Sequence, residues 1–431
     1  MRARSLVRRL VGTAVVALAA TAAAATTQAT SGTAAATQGN PVTDWNEIAQ
    51  NAIVVGRPPG SSAVLEGILQ AAIYDATVAI EGGYDQFVAS PTVHRPASTA
   101  AAVAEAAHDV LVARVPGQAT NVENQYDAYL ATIPDGPAKE NGRDVGDQVA
   151  EDILAWRAGD GFDNVIAYEQ QSPGPGVFEP VPPEVMPPPT PLDVKLRQVR
   201  PLTLTSNSQF RPDGPSSLTS VEYAEDLNEV KAYGRVDSAV RTPAQTEVAR
   251  FWSENSANQW PRTLRALAIE HGLGLAETAR MLAMTQVAAA DAILGCFDAK
   301  YHYLFWRPVH AIRRADSDGN PATQADPTWT PLLVVNHPEY PSAHACWSKA
   351  VTKALAAFFG HDKVAFSMDS LASGTTRSYP RFSAAVREVY DARVWAGLHF
   401  RGSMRDGAWI GRKVARYVER NFFRPRCRHS T

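Results

Sequence analysis

A chain of 431 residues is long enough for a large buried core, and 45% hydrophobic with 20% charged residues is ordinary for a soluble globular protein. The formal net charge of −3, from 41 basic and 44 acidic side chains, offers no basic field for nucleic acid or an anionic membrane, so a cluster of cations has to be a local feature. Cys296, Cys346 and Cys427 are too few for a disulfide framework, and the first two, on expected core helices, read as small buried hydrophobes.

The N-terminus reads as a targeting segment. Arg2, Arg4, Arg8 and Arg9 precede an apolar run at 10–25 and then small residues, so 1–30 is expected to be a secretory signal, exported by the general or, through Arg8-Arg9, the twin-arginine route. The Ala/Thr/Ser-rich 31–40 reads as a disordered leader, and a secreted protein is expected. No later run of about 18 apolar residues occurs, so no membrane association is expected after signal removal.

Apolar residues then recur at helical spacing over 45–55 and 63–80, the second with Asp75 as the one charge in its apolar face, read as a packing contact. Helices are expected at 98–115, 120–133 and 137–158. Prolines and glycines crowd 172–191, which predicts no regular element there, but an excursion over the surface or a linker. Helices resume at 220–233, from Thr242 as N-cap and Pro243 as first residue to 255, at 260–271 and at 274–303. A polar turn at 316–320, a loop at 368–378 and helices at 379–398 and 406–422 complete an all-α, multi-helix bundle with long irregular loops, as one domain over 41–425.

Three segments carry groups suited to a tetrahedral oxyanion. In the first, Lys300 and Arg307 are seven apart, which on one helix puts them on nearly the same face, and Pro308 puts Arg307 near a helix end. In the second, Ser342 is the expected N-cap of an Ala-rich helix whose free N–H groups, with His344 in the first turn, form an anion site. In the third, Arg393 and His399 are six apart, about 120° on a continuous helix, and flank a ligand.

Lys-x6-Arg-Pro alone is a weak signal, but followed in order by Pro-Ser-small-His and Arg-x5-His it resembles the signature of the vanadium-dependent haloperoxidases and type 2 phosphatidic acid phosphatases (PAP2), one superfamily with a shared oxyanion pocket. Asp298-Ala-Lys-Tyr-His-Tyr-Leu-Phe-Trp-Arg-Pro, His337-Pro-Glu-Tyr-Pro-Ser and Trp395-Ala-Gly-Leu-His-Phe-Arg look like its bacterial secreted haloperoxidase branch, and the similarity runs from about Val42 to Arg424. The resemblance implies a helical bundle of that type, with 299–410 as its oxyanion core and vanadate as cofactor, phosphate being able to occupy the same site. It further implies His399 as the vanadium ligand, Lys300, Arg307 and Arg393 neutralising the oxygens, and Ser342 with the Ala343 N–H bonding them. His344 is then the acid–base, Lys300 polarises peroxide, and hydrogen peroxide, a halide and a small organic molecule are the substrates. His337 falls where the resemblance places a halide-pocket residue, similar to bromide-oxidising members. Gln209, Phe210 and Arg211 are expected at the entrance, on a loop wrapping the bundle.

Two residues depart from the pattern. Ala343 stands where the family usually has glycine, and a positive φ would be costly for alanine. Ser403 stands where an aspartate often orients the last histidine, with Asp406 nearby as a possible substitute. Two other readings stay open: a secreted acid phosphatase in which His399 is phosphorylated and His344 protonates the leaving oxygen, and a helical protein with a degenerate pocket. Oligomeric state is not legible.

Overall fold

The computed structural model describes residues 39–182, 185 and 190–426; the expected signal, the leader up to 38 and Cys427 lie outside them. Within these residues the chain forms α1 (Pro41–Ile53), α2 (Pro59–Glu81), α3 (Thr99–Arg114), α4 (Ala119–Leu130), α5 (Pro137–Arg157), α6 (Val221–Tyr233) and α7 (Pro243–Phe251). Then follow α8 (Ser256–Glu270), α9 (Leu275–Tyr303), α10 (Pro308–Arg313), α11 (Ala343–Phe358), α12 (Phe382–Trp395) and α13 (Arg401–Asn421). The fold is all-α, with one two-stranded antiparallel hairpin, β1 (Phe366–Ser370) and β2 (Thr375–Tyr379), among the described residues.

The central element is α9, which packs along α2 on one side and against α11 and α13 on the other. It begins where Glu277 reaches back to the Gly274 N–H, and ends where Leu304 turns into the left-handed region at φ 48°. By length and composition α2 and α9 are apolar enough to cross a membrane, yet 94% of each apolar window is buried inside the protein, so both are core helices. Each fully buried Leu or Ile there contributes about 1.5–3 kcal/mol. On α13, Gly407 lets the helix lie against the start of α11: an added Cβ would stand 2.5 Å from the Ser342 carbonyl oxygen.

Buried carboxylates tie loops to this core. Asp75 on α2 accepts from Phe87, Val88 and Ala89 N–H at 2.6, 2.8 and 2.9 Å, the packing contact expected of it. Asp291 on α9 accepts from Leu202 and Thr203 N–H at 2.6 and 2.7 Å and fixes the wrapping loop. The Pro/Gly-rich excursion is ordered where described, Phe178 N donating to Leu304 O at 2.6 Å. Thr242 and Gln245 form a reciprocal cap on α7, with Pro243 first in the helix, as the sequence predicts.

Four expectations fail locally, one of them the last helix, expected from 406, which starts at Arg401. The segment 368–378 is not a loop: Phe366, Met368 and Tyr379 are buried on one face of the hairpin, and Arg377, opposite Met368 on that face, is held by Glu247 and Glu388 at 2.7 and 2.8 Å. Tyr379 therefore belongs to β2, and α12 starts at Phe382. Helix α8 starts at Ser256, because the Asn255 side chain accepts from Ala257 N at 2.9 Å, and Pro261 falls inside it.

Candidate oxyanion site

The first segment does not run as one helix. Lys300 lies in the last turn of α9, Leu304 breaks the helix, and Arg307 is the N-cap of α10. The expectation that both cations share a helix face is thus wrong, and their meeting is the work of the break. Both are buried, at 0% and 2% exposure. Lys300 Nζ donates to Pro338 O at 2.8 Å and Glu339 O at 3.0 Å, which leaves one of its three donors.

Arg307 is a staple. Nε donates to His337 O (2.6 Å), one terminal nitrogen to Leu398 O (2.9 Å) and the other to Pro338 O (3.2 Å), which ties the second and third segments together. Its remaining contacts are to His337 Nδ1 at 2.7 Å and His399 Nε2 at 3.4 Å. A guanidinium only donates, so His399 Nε2 is an acceptor and its proton sits on Nδ1. His337 Nδ1 faces both the Arg307 donor and the Pro338 carbonyl oxygen, the latter at 3.1 Å.

In the second segment Ser342 is the N-cap of α11, as expected, but its hydroxyl caps nothing: Ser342 Oγ is buried without a protein partner. Ser342 N donates to Ser403 O at 3.1 Å, which locks the start of α11 to α13. Ala343 is the first helical residue and is not among the positive-φ positions, so alanine costs no strain there and its N–H stays at the helix terminus. One residue on, His344 Nε2 is also buried without a partner.

The third segment departs from a continuous helix as well. Arg393 is in the last turn of α12, which stops at Trp395, and His399 lies in the turn before α13. Gly397 makes that turn at φ 77°, where an added Cβ would meet Gly234 O at 2.6 Å. Arg393 donates to Trp252 O at 2.8 Å, and its Nε is buried and unpartnered.

The acceptor that orients His399 is neither Ser403 nor Asp406 but Glu339, a residue that sequence reasoning missed. Glu339 is fully buried; its Oε1 accepts from His399 Nδ1 at 2.9 Å and Phe400 N at 3.0 Å, and its Oε2 from the Ser403 hydroxyl at 2.6 Å. Ser403 thus supports the carboxylate that supports the imidazole. Asp406 accepts from the Tyr340 hydroxyl at 2.7 Å and has no contact with His399. The signal available was modest: Glu339 is the one acid between His337 and His344.

A cavity of about 80 Å³ lies at this junction, lined by His337, Ala343, His344, Arg393 and His399 with the apolar side chains of Leu192, Ile293, Phe297 and Trp347. Lys300, Arg307 and Ser342 stand behind that surface. Gln209, Phe210 and Arg211 do not line it: Arg211 forks onto Asp298 at 2.7 and 2.8 Å, Phe210 packs on Tyr417, and Gln209 accepts from Thr205 N. The near wall is instead built from Pro59, Gly60, Leu192 and Asp193.

Burial sets the electrostatics. It pushes Lys300 down to about 8 and pulls both guanidinium values down, the neighbouring Arg307 adding to the effect on Arg393, although a guanidinium stays charged throughout. Burial raises Glu339 to about 7 against the opposing Ser403 hydrogen bond and the fields of Arg307 and Lys300. His337, His344 and His399 are held well below the ordinary histidine value, by burial first and then by the cations, and are neutral. Three buried cations against one carboxylate, with unpartnered Ser342 Oγ, His344 Nε2 and Arg393 Nε, form a donor set that fits an oxyanion.

A family model described as the VCPO second helical-bundle domain matches residues 280–425, the stretch that contains Lys300 through Asp406. Vanadium chloroperoxidase of Curvularia inaequalis is 26% identical over 34% of this chain, and the match spans only 29% of that protein's length. Among solved structures, the first bacterial vanadium-dependent iodoperoxidase superposes with a TM-score of 0.74 at 21% identity, covering 89% of this chain and 96% of that one. An apo-type bacterial vanadium-dependent chloroperoxidase gives 0.67 at 16% identity, over 83% and 92%. The matched helical-bundle model over 280–425 and the fold likeness agree with the resemblance of the three motifs: the chain has the all-α fold of the vanadium-dependent haloperoxidases.

Proposed function

We propose that this protein is a secreted vanadate-dependent haloperoxidase, which uses hydrogen peroxide to oxidise a halide to a hypohalous species that halogenates an organic molecule. The observation that carries the reading is the state of His399. Its Nδ1–H is committed to Glu339 at 2.9 Å, while its Nε2 lone pair meets only a long 3.4 Å contact from Arg307, among three buried cations. Such an imidazole has one free lone pair and a fixed ring plane, which is what a metal-oxyanion ligand needs. The neutral histidine next to it and the unpartnered hydroxyl fit the same group.

Bound vanadate would supply an electrophilic centre that activates peroxide toward halide. This chain's residues do the rest. His399 Nε2 holds the group, and Glu339 keeps that nitrogen aimed. Arg393 Nε, the spare N–H of Lys300, Ser342 Oγ and the Ala343 N–H at the positive end of α11 bond its oxygens. Arg307, whose donors are spent on carbonyls and histidines, contributes charge and holds the two segments in register. His344, neutral and unpartnered at Nε2, takes and returns a proton at the cavity surface. His337, its Nδ1 held by Arg307 and its ring 5.4 Å from Phe297, offers its Nε2 edge to a halide.

The test is bromination of a phenol-red-type dye by purified protein with bromide and peroxide, with and without vanadate, beside a phosphomonoester assay. Bromination that requires both vanadate and peroxide is expected. Phosphomonoester hydrolysis without bromination would overturn the reading in favour of a phosphohistidine phosphatase, and neither activity would favour a degenerate pocket.

A further inference from the structure

The cavity at His399, about 80 Å³, is roughly half the ~150 Å³ of an apolar cavity that takes up benzene. It admits an oxyanion, peroxide or a halide, but an aromatic molecule has to dock elsewhere. Its near wall is a clamp between two distant segments. Asp193, just before the 3₁₀ turn at Val194–Gln198, accepts from Gly60 N at 3.1 Å and from the Ser61 hydroxyl at the start of α2, so both of its oxygens are engaged.

The same clamp borders a second, larger hollow of about 410 Å³, which shares Asp193 with the inner cavity and takes Pro58 and Ser61 from either side of Pro59 and Gly60. That volume is in the ordinary range of about 300–1,000 Å³ for small-molecule sites. Its lining combines apolar groups, two cations and the Asp193 carboxylate, whose oxygens are already taken by Gly60 and Ser61. Val165 is fully exposed and Val55 56% exposed, beside Ile166. Arg57 and Lys195 complete it, and neither is ion-paired among the described residues: Arg57 donates to Ile53 O at 2.5 Å, and Lys195 Nζ sits 4.2 Å over the Phe162 ring. A still larger hollow of about 630 Å³, at Gly274–Glu277 and Arg426, shares no residue with the inner cavity and has no such claim.

We propose that the hollow at Arg57, Lys195 and Val165 docks the organic acceptor, and that it selects a small aromatic molecule carrying an anionic group, a carboxylate above all. The proposal rests on the haloperoxidase reading for the reaction that follows. In that reaction halide, peroxide and one proton give hypohalous acid and water. The acid passes the Asp193–Gly60 wall, the ring carbon takes the halogen as the O–halogen bond breaks, and the ring proton leaves with the hydroxide as water. Holding the acceptor one wall away from the source favours its capture of the acid over release to solvent.

The probe is 4-hydroxybenzoate, with 4-hydroxybenzyl alcohol as its neutral counterpart, titrated into the full chain by saturation-transfer NMR without vanadate or peroxide. Binding of the carboxylate is expected to weaken about tenfold in the Arg57→Gln/Lys195→Gln double variant, with the alcohol unchanged. Val165→Asp, at a fully exposed position that carries no folding cost, is expected to weaken the carboxylate likewise. Saturating phosphate is expected to leave the probe bound. In bromination assays the KM for 4-hydroxybenzoate should rise by the same factor, with kcat and the KM for peroxide unchanged. No binding by the wild type, equal binding by all variants, or displacement of the probe by phosphate would overturn the proposal. A protein that binds the probe as described but never brominates it would count against the haloperoxidase reading and leave the docking site standing.

Discussion

Replacing Glu339 tests how His399 is held. In Glu339→Ala three donors lose their acceptor inside the protein: His399 Nδ1–H, Phe400 N–H and the Ser403 hydroxyl. At about 1–3 kcal/mol for each buried unsatisfied group, partly relieved by relaxation, the fold should lose about 3–5 kcal/mol. The imidazole is then free to rotate or change tautomer, and loss of such an orienting partner commonly weakens metal-group binding about 10- to 100-fold, or about 1.4–2.7 kcal/mol. Glu339→Gln separates orientation from charge. Its amide oxygen can keep both bonds made by Oε1, its NH2 group faces the Ser403 hydroxyl, which can turn to accept, and the three cations lose their one carboxylate. Vanadate affinity in Glu339→Gln should therefore stay within about threefold of wild type or rise, while Glu339→Ala falls by the larger factor. Calorimetric titration with vanadate, alongside thermal unfolding of each variant, reads both effects. Wild-type affinity in a folded Glu339→Ala variant, or equal losses in Ala and Gln, would refute the reasoning.

Further expectations follow from the same contacts. Ser403→Ala, which frees only Glu339 Oε2, should weaken vanadate binding less than Glu339→Ala, and Asp406→Asn should leave it unchanged, because Asp406 serves Tyr340; a large loss in Asp406→Asn by the same titration would reverse the assignment. Arg307→Ala should lower the unfolding free energy by about 3–5 kcal/mol in a denaturant melt, since it strips the staple from Pro338, Leu398 and His337, and Arg307→Lys should fall between; wild-type stability in Arg307→Ala would show the staple to be idle. Lys300 gives a pH signature. Its value of about 8 before anion binding means that the ammonium is charged below that pH and must take up a proton to bind an anion above it, so affinity falls as pH rises through about 8. Sulfate, whose own charge is constant there, should bind evenly near neutral pH and progressively more weakly above about 8, and Lys300→Met should abolish the slope. A slope surviving in Lys300→Met would assign it to another group.

The parts legible in the sequence are those that depend on local order. Helical periodicity announces the bundle and the long buried α9, the reciprocal cap at Thr242 gives the start of α7, and the three motifs name Lys300, Arg307, Ser342, His344, Arg393 and His399, which the fold brings to one junction. What the sequence hides is set by contacts between distant segments. Glu339 and His399 are 60 positions apart, and no spacing rule links them. The helix is legible to its end at Tyr303, but the left-handed turn at Leu304, which carries neither glycine nor proline, is not, and it is this turn that moves Arg307 off the helix face of Lys300. The hairpin at 366–379 is built from Ser and Thr alternating with a few buried side chains, a pattern too short to separate from a loop. The entrance wall depends on Asp193 reaching Gly60, which no local pattern announces.

The claim beneath all of this is that Lys300, Arg307, Ser342, His344, Arg393 and His399 serve one oxyanion held on His399. It is tested most directly by calorimetric titration of vanadate into the protein with and without saturating phosphate, repeated on His399→Ala. The account predicts one site per chain, competition between the two anions, and loss of vanadate binding in the variant. Independent binding of vanadate and phosphate, or full vanadate affinity in His399→Ala, would contradict it.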